Sequence, residues 1–253
     1  MVVTLGVTVA ILSLGLISGS CHRSDDNPPD QEPDTTGDVE MLVTTANKSM
    51  LLLKSYLHFN TKPNMSPATT ITLNPTQRYQ QIDGFGAAIT GSTCYNLLRM
   101  TAENRAKLLT EAFDTVKGYG YSYIRISIGA SDFSMDEYTC CDAPGIANFA
   151  IHEYDKRDLI PILKEILAIN PKLKIMASPW TCPRWMKVNN LSEKKPYNSW
   201  TSGQLNPAYY QDYATYFVKF IQAMEQEGIP IASITIQNEP LNRGNSVSLY
   251  MTW

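Results

Sequence analysis

The feature that most constrains this chain is a repeated alternation between short apolar strands and amphipathic helices. Apolar stretches typical of buried strands begin near residues 84, 121, 173 and 231, and helical patterns lie between them. This alternation predicts a parallel sheet joined by right-handed crossovers. A (β/α)8 barrel and a doubly wound sheet both fit that description. The barrel is favoured, because Gly84-Phe85-Gly86 lacks the third glycine and the helix start of a phosphate-binding loop.

Capping residues predict where the helices begin and end. Thr101 is predicted to cap a helix that runs to about residue 116, and Asp155 is predicted to cap the next one. Asn206, which is followed by proline, predicts the start of a third helix. That helix should end at Gly228, a glycine at the C′ position.

The strand spacing predicts how much of a barrel is present. One strand–helix unit takes about 50 residues, so eight units would need roughly 400, and residues 83–253 supply about the first four. We therefore expect this region to be the N-terminal half of a (β/α)8 catalytic barrel in a longer protein. Strand-like stretches at 39–45, 69–73 and 78–82 come earlier, and they predict strands of a side β domain over residues 39–82.

The N-terminus has the pattern of a targeting segment. Residues 2–17 are apolar, and small residues and Cys21 follow them, which is typical of a bacterial lipoprotein signal peptide over residues 1–20. A secretory signal with an incidental cysteine is the alternative. Residues 21–38 are rich in proline and acids and predict a disordered tether. We expect an exported protein, at the outer membrane, the cell surface or in the periplasm, that contacts the membrane only through a lipid on Cys21.

Composition and cysteine content exclude several classes of function. The net charge is −3 and no cluster of Lys and Arg occurs, so a nucleic-acid partner is not expected. The 3 histidines do not combine with cysteines at zinc-ligand spacing, so a zinc or similar metal site is not expected. Beyond Cys21 the cysteines are Cys94, Cys140, Cys141 and Cys182. A disulfide from Cys140 or Cys141 to Cys182 and free thiols are both open.

Polar and aromatic side chains stand at the carboxyl ends of the predicted strands. In a parallel barrel these ends meet at one face, where catalytic groups are placed. The strand ends supply Thr90, Asp132, Trp180, Asn238 and Glu239, and Arg125 points into the barrel from the middle of the second strand. They are therefore predicted to surround one pocket.

This set of side chains suits the cleavage of a sugar acetal. One carboxylic acid must protonate the leaving oxygen, and a second carboxylate must attack the carbon or activate water. Glu239 can be the acid, Asn238 can bind a sugar hydroxyl, and Trp180 can stack on a sugar face. Asp132 lies too far past its strand to pair with Glu239, so it is predicted to bind a ligand hydroxyl or to cap its own loop. Arg125 either holds a carboxylate or faces the ligand.

Four segments together resemble glycoside hydrolase family 30, which contains lysosomal-type glucosylceramidase and endo-β-1,6-glucanases. The segments are QIDGFGAAIT at 81–90, IRISIGASDFS at 124–134, ASPWTCPRWMK at 177–187 and TIQNEP at 235–240. They occur in the order of the family over about 160 residues, and such a combination is far more specific than any one motif.

The resemblance implies a (β/α)8 barrel with a side β-sandwich built from both chain ends. It also implies a retaining mechanism with two glutamates and no cofactor, in which Glu239 is the acid/base. It places sugar binding on Asp132, Trp180 and Asn238. The family's nucleophile ends strand seven, which we expect beyond residue 253. The implied substrate is a polysaccharide or oligosaccharide, and endo-β-1,6-glucanase is the best match.

Other functions stay open at this point. Within the same class, the protein can be an exo-acting β-glucosidase, a glucosylceramidase or a β-xylosidase, because later loops would shape those subsites. From another class, the absent nucleophile motivates an inactive or glycan-binding lipoprotein. Neither the linkage that is cut nor endo against exo action follows from these residues.

Overall fold

The structure is a computed structural model, and it describes residues 3–5, 36–59 and 71–252. Cys21, with most of the predicted signal peptide and tether, lies outside the described residues. The chain divides into two compact units, residues 1–80 and 81–253. Each unit is described by itself below.

The first unit contains two antiparallel strand pairs. Its strands are β1 (Val3–Leu5), β2 (Val39–Val43), β3 (Leu53–Leu57) and β4 (Ile71–Leu73). β2 pairs with β3, with Val39 opposite Leu57, and β1 pairs with β4. The predicted strand at 78–82 does not form, because these residues lack pairing partners among the described residues. The assignment of 39–82 to a side β domain stays a prediction.

The second unit alternates helices and parallel strands. In chain order its elements are α1 (Gly91–Arg99), α2 (Ala102–Phe113), β5 (Tyr123–Ile128), α3 (Ile160–Ile169), β6 (Lys174–Pro179), β7 (Lys187–Val188), β8 (Gln204–Leu205), α4 (Tyr210–Gln226) and β9 (Ser233–Ile234). β5, β6 and β9 form a parallel sheet in that order, with Arg125 beside Met176 and Met176 beside Ser233. Sequence-adjacent parallel strands with helical crossovers are the arrangement that the alternation predicts.

The predicted first strand is present only as an irregular segment along β5. A parallel bridge joins Ala88 to Arg125, and Phe85 O accepts hydrogen bonds from the backbone N–H groups of Ser122 and Tyr123 at 2.9 and 3.2 Å. Gly86 makes this close approach sterically allowed, since a Cβ there would lie 1.6 Å from Tyr123 O. The sheet therefore has the order of a barrel wall, and it does not close among the described residues.

The fourth strand differs from its prediction as a strand buried on both faces. β9 is only two residues long and half-buried, and Ile236 after it is 64% exposed. The reason is its position, because among the described strands β9 pairs with β6 alone and forms the edge of the sheet. The apolar sequence of β9 predicted burial on both faces, and the described residues bury it only in part.

Three of the helix boundaries follow the capping prediction. Asn206 caps the short 3-10 helix Pro207–Tyr209 that leads into α4, and its side chain accepts a hydrogen bond from Ala208 N at 3.1 Å. Thr101 caps α2, and its side chain accepts a hydrogen bond from Asn104 N at 3.3 Å. The helix ends at Phe113 rather than near residue 116, because the Asp114 carboxylate accepts the next backbone N–H groups and forms a turn. α4 ends as predicted at Gly228, where φ is +79°. The backbone N–H of Gly228 donates to Glu225 O and that of Ile229 donates to Met224 O, and these two hydrogen bonds form a Schellman motif.

The predicted cap at Asp155 is wrong. Asp155 makes no capping hydrogen bond; it begins a π-helical turn, Asp155–Leu159, that leads into α3. Its carboxylate is buried and accepts a hydrogen bond from the Tyr138 hydroxyl at 2.7 Å. Thr90, predicted to be a pocket residue, caps the unpredicted helix α1 and accepts from Thr93 N at 3.2 Å.

The core lies between the sheet and its helices. Fully buried residues on β5, β6, α3 and α4 include Ile124, Ile126, Ile175, Ile162, Leu163, Ile166, Tyr216, Phe220 and Met224. Burial of this apolar surface is the main stabilising contribution to the unit.

The second-unit cysteines are free thiols, so the structure contains no bridge between Cys140 or Cys141 and Cys182. Burial raises the pKa of Cys182 to about 12, which keeps it protonated at neutral pH. None of the described helices is both long and apolar enough to cross a membrane.

Candidate active site

The candidate site lies where the parallel strands end. β5 carries Arg125, β6 leads into Trp180, and β9 is followed four and five residues later by Asn238 and Glu239. Parallel pairing brings these carboxyl ends to one edge of the sheet, as the barrel prediction requires.

Arg125 contacts two other predicted site residues, Asn238 and Trp180. Its Nη2 donates to Asn238 Oδ1 at 2.7 Å and to Ser178 Oγ at 3.0 Å. Its guanidinium carbon lies 4.7 Å from the ring centroid of Trp180, within cation–π range. Arg125, Trp180 and Asn238 therefore form one cluster. The partner that Arg125 holds is an amide rather than the carboxylate considered above.

The contact with Arg125 fixes the orientation of the Asn238 amide. A guanidinium only donates hydrogen bonds, so the amide atom that faces it must be the oxygen. The Asn238 NH2 group is then directed away from Arg125 and can donate to a ligand. The backbone N–H of Asn238 also donates to Pro179 O at 2.8 Å, which holds the residue against the end of β6.

Three polar residues that the sequence interpretation did not select complete this network. The hydroxyls of Ser178 and Thr235 hydrogen-bond to each other across β6 and the end of β9. Gln237 Nε2 donates to Trp180 O at 2.6 Å and to Asn238 O at 2.9 Å. Hydroxyl residues at the ends of otherwise apolar strands were the available signal for Ser178 and Thr235. No comparable signal marks Gln237.

Trp180 is held against a small apolar cluster at the edge of the site. Like Trp200, it packs against the buried residues Ala130, Tyr138 and Val247. Its indole N–H is buried and has no hydrogen-bond acceptor among the described residues. Buried donors are normally satisfied, so a ligand oxygen is a suitable partner for this one.

Tyr138, in the same cluster, stays a neutral phenol. Burial raises the pKa of the Tyr138 hydroxyl, and the neighbouring Asp155 carboxylate raises it further. The hydroxyl donates to Asp155 rather than to the site, so Tyr138 supports Trp180 through packing.

Glu239 projects from a strained backbone position. It is exposed, and its φ of +44° lies in a region that non-glycine residues rarely occupy. Its Oε2 accepts hydrogen bonds from Asn242 Nδ2 at 2.8 Å and from Asn245 Nδ2 at 3.1 Å. Such strain concentrates at functional sites, and the two amides direct the carboxylate. Sequence interpretation missed both asparagines.

Asp132 is not part of this cluster in the structure. Its side chain is exposed and makes no hydrogen bond within the described parts of the chain. It neither caps its own loop nor contacts Arg125, Trp180 or Asn238, so its ligand-binding role stays a prediction. Across residues 3–5, 36–59 and 71–252, no group of three or more His, Cys, Asp or Glu is arranged to hold a metal ion.

The arrangement has a defined chemical capacity. An oriented amide donor, an unsatisfied indole N–H and an aromatic face are groups that bind hydroxyl-rich ligands. The carboxyl group of Glu239, the residue after Asn238, can donate a proton to a ligand oxygen or accept one from it.

Comparison with known proteins gives a consistent result. Residues 82–250 match the model of the glycosyl hydrolase family 30 TIM-barrel domain. The chain is 33% identical over 174 residues to lysosomal acid glucosylceramidase of Mus musculus, which covers 67% of this chain and 33% of that protein. It is 40% identical over 172 residues to endo-1,6-beta-D-glucanase BGN16.3 of Trichoderma harzianum, which covers 64% of this chain and 35% of that protein.

A solved structure is also similar. The structure of the endo-beta1,6-glucanase BT3312 matches with a TM-score of 0.76 and 59% identity, over 86% of this chain and 46% of that one. The chain thus spans about a third of the two curated relatives and just under half of the solved glucanase.

Proposed function

The chain belongs to glycosyl hydrolase family 30, and we propose that it carries the acid/base side of a retaining β-glycosidase that cleaves β-1,6-glucan. The 59% identity to a solved endo-beta1,6-glucanase supports the choice of substrate. The 40% identity to a fungal endo-1,6-beta-D-glucanase supports it independently. Because the chain spans less than half of these proteins, the activity is proposed for the whole protein.

The observation that carries the proposal is the hydrogen bond from Arg125 to Asn238. It orients the amide so that its NH2 group faces away from the guanidinium, in the residue that precedes Glu239 in the chain. In this proposal the amide donates to the sugar hydroxyl next to the reacting carbon. A bond that strengthens as the transition state forms contributes directly to the rate.

The mechanism is a double displacement. Protonated Glu239 donates its proton to the glycosidic oxygen, and the leaving sugar departs. A second glutamate, which we place outside these 253 residues, attacks the sugar carbon and forms the glycosyl–enzyme bond. In a retaining glycosidase the two carboxyl groups lie about 5 to 5.5 Å apart. Glu239 then removes a proton from water, and that water cleaves the covalent bond. Trp180 packs against a sugar face and uses its indole N–H on a ligand oxygen, while Asp132 binds a further hydroxyl.

The test is the change Glu239→Gln in the full-length protein. The amide keeps the shape and cannot transfer a proton, so release of gluco-oligosaccharides from β-1,6-glucan should fall between about a hundredfold and ten-thousandfold. Glu193→Gln is the matched control, because Glu193 is an exposed acid paired with Lys195 in another loop. Undiminished activity in Glu239→Gln would show that another residue is the acid.

A glucosylceramidase-like or exo-acting β-glucosidase is the second candidate, favoured by the similarity to the mouse glucosylceramidase. A β-xylosidase is the remaining alternative. Purified full-length protein should be assayed on β-1,6-glucan, an aryl β-glucoside, glucosylceramide and an aryl β-xyloside. Cleavage within β-1,6-glucan to short oligosaccharides supports the endo-glucanase, whereas single glucose units or ceramide as products support the alternatives.

The family fold completes the architectural proposal. We infer that residues 83–253 form the first half of a closed (β/α)8 barrel, and that residues 39–82 contribute strands to a side β-sandwich. The parallel order β5–β6–β9, with the bridge at Ala88, supports the barrel assignment.

Export with a lipid on Cys21 remains a separate proposal for the cellular location. The protein should fractionate with membranes when expressed in a bacterial host that processes lipoproteins. Cys21→Ala should move it to the soluble fraction. Retention of the variant in the membrane fraction would exclude Cys21 as the anchor.

A further inference from the structure

Lys187 is a buried lysine for which the mechanism above has no role. It is 2% exposed and begins the short strand β7. A lysine side chain is almost never fully buried unless its charge is compensated. The groups that surround this ammonium are backbone carbonyls.

Four carbonyl oxygens converge on the ammonium. Lys187 Nζ donates to Ser199 O at 2.9 Å, Trp200 O at 3.1 Å, Ser202 O at 3.0 Å and Ser248 O at 2.8 Å. An ammonium has three N–H groups, so one of them is shared between two acceptors. Four inward-facing carbonyl dipoles repel one another unless a cation lies between them, and the charge therefore has a function in the fold.

The ammonium joins three separate segments of the chain. Besides β7, they are the loop at 199–203 and the segment at 246–249. Two further bonds join the loop to that segment: Ser248 N donates to Trp200 O at 3.0 Å, and Ser202 N donates to Ser248 Oγ at 2.8 Å. Both depend on the same backbone positions that Lys187 fixes.

These segments carry two side chains of the apolar cluster that includes the candidate sugar-binding tryptophan. Trp200 and the fully buried Val247 pack in the same cluster as Trp180. Lys187 binds the carbonyl of Trp200 itself, and it binds the carbonyl of Ser248, the residue that follows Val247. Lys187 therefore acts on the backbone next to these side chains, and its ammonium forms no hydrogen bond with Arg125, Ser178 or Asn238.

We propose that Lys187 is a positioning residue for the glycan site, and that its ammonium holds Trp200 and Val247 in the place that orients Trp180. This role rests on the proposed glycosidase function. Lys187 contacts no reacting atom in this proposal. Its loss should therefore weaken sugar binding more than it slows the proton transfer by Glu239.

The experiment compares Lys187→Ala with the wild type in the full-length protein. The control is Lys195→Ala, which removes an exposed lysine paired with Glu193 in the chain segment between β7 and β8. Hydrogen exchange of residues 197–204 and 246–250 measures positioning, and KM and kcat on β-1,6-gluco-oligosaccharides measure its effect on the site. For Lys187→Ala we expect faster exchange in both segments and a KM increase of roughly tenfold, with kcat within about threefold. Lys195→Ala should change neither.

Chemical rescue separates positioning from general loss of structure. Propylammonium replaces the atoms that Lys187→Ala removes, so it should lower the KM of this variant towards the wild-type value. Tetramethylammonium carries the same charge with no N–H group and should not. If Lys187→Ala does not fold, Ser248→Ala takes its place, because it removes one bond between the loop and its partner segment. For Ser248→Ala we also expect faster exchange in both segments and a higher KM, but the increases should be smaller than in Lys187→Ala.

The outcomes distinguish this proposal from the proposed function. If the wild type is active and Lys187→Ala has an unchanged KM, the role of Lys187 is overturned and the proposed function stands. The same holds if Ser248→Ala shows faster exchange without any rise in KM. Absence of rescue by propylammonium would also overturn the role of Lys187. A wild type inactive on every glucan would overturn the proposed function, and the role of Lys187 with it.

Discussion

At the scale of single residues, Asp155 shows how the site is connected to the buried interior. One carboxylate oxygen accepts the Tyr138 hydroxyl at 2.7 Å, and the other, Oδ2, is buried without a hydrogen-bond partner among the described residues. Burial raises the pKa of Asp155 from 3.8 to about 7; the Tyr138 hydrogen bond lowers it, and the charge of Asp158 raises it. Tyr138 in turn packs in the cluster around Trp180.

The raised pKa of Asp155 predicts a specific dependence of stability on pH. Between about pH 4 and 7 the folded state holds a proton that the unfolded state has lost, so the stabilisation is complete below about pH 4 and is lost as pH rises through 7. Asp155→Asn cannot titrate and should abolish this decline. The difference between the Asp155 pKa of 3.8 in the unfolded state and about 7 in the folded state corresponds to at most about 4 kcal/mol in the free energy of unfolding. Urea unfolding of both proteins at pH 4.5 and 7.5 measures it.

A second variant tests the cause of this dependence. Tyr138→Phe removes the hydrogen bond that favours the ionised carboxyl group, so its stability should fall more steeply with pH than that of the wild type. Identical pH dependence in the wild type and Asp155→Asn would contradict the assignment of this titration to Asp155.

At the scale of secondary-structure elements, the irregular segment before α1 depends on a glycine. Gly86 lies where any Cβ would meet Tyr123 O at 1.6 Å and Tyr123 C at 2.8 Å. Gly86→Ala must therefore push the segment away from β5 and weaken the bridge between Ala88 and Arg125. We expect a loss of about 2 to 4 kcal/mol in the free energy of unfolding, measured by urea titration.

Gly91 supplies the matched control for this substitution. A Cβ at Gly91 would have its nearest neighbour at 3.7 Å, and the residue begins α1, where alanine is favourable. Gly91→Ala should change the stability by no more than about 0.5 kcal/mol. Equal losses in the two variants would mean that the close approach at Gly86 is not the cause.

The elements that could be predicted are those determined by local chemistry. The cap at Thr101 and the end of α4 at Gly228 follow from hydrogen bonds within a few residues, and the sequence pattern identifies them. Asp155 was mistaken for a cap because its short polar side chain suits a helix start equally well. Only the three-dimensional packing shows that its partner is Tyr138.

The site was predictable to a similar extent. Parallel strands bring their ends together, so Arg125, Trp180 and Asn238 could be assigned to one pocket from strand positions alone. The carbonyls around Lys187 could not be predicted, because backbone groups carry no sequence signature and come from loops distant in the chain.

At the scale of the whole molecule, the sheet of the second unit has an open edge at β9. Ile236 lies beyond this strand and lines an apolar cleft of about 540 Å3 with Tyr213, Phe217, Tyr250 and Met251. In a family whose domain is a TIM barrel, further strand–helix units would cover this edge. In the closed barrel proposed above, the apolar residues of this strand would be buried as the sequence pattern predicts.

This interpretation predicts opposite effects of one substitution in two proteins. Residues 81–253 expressed alone should self-associate through the apolar edge, and Ile236→Lys should reduce that association by placing a charge there. In a full-length protein with a closed barrel, the same lysine would be buried without a partner, so Ile236→Lys should destabilise it by roughly 3 kcal/mol or more. Val116→Lys, at a residue that is 88% exposed in the turn after α2, should alter neither protein. Light scattering of the isolated region and urea unfolding of the full-length protein measure the two effects. A full-length protein that tolerates Ile236→Lys as well as Val116→Lys would show that no further strand covers β9.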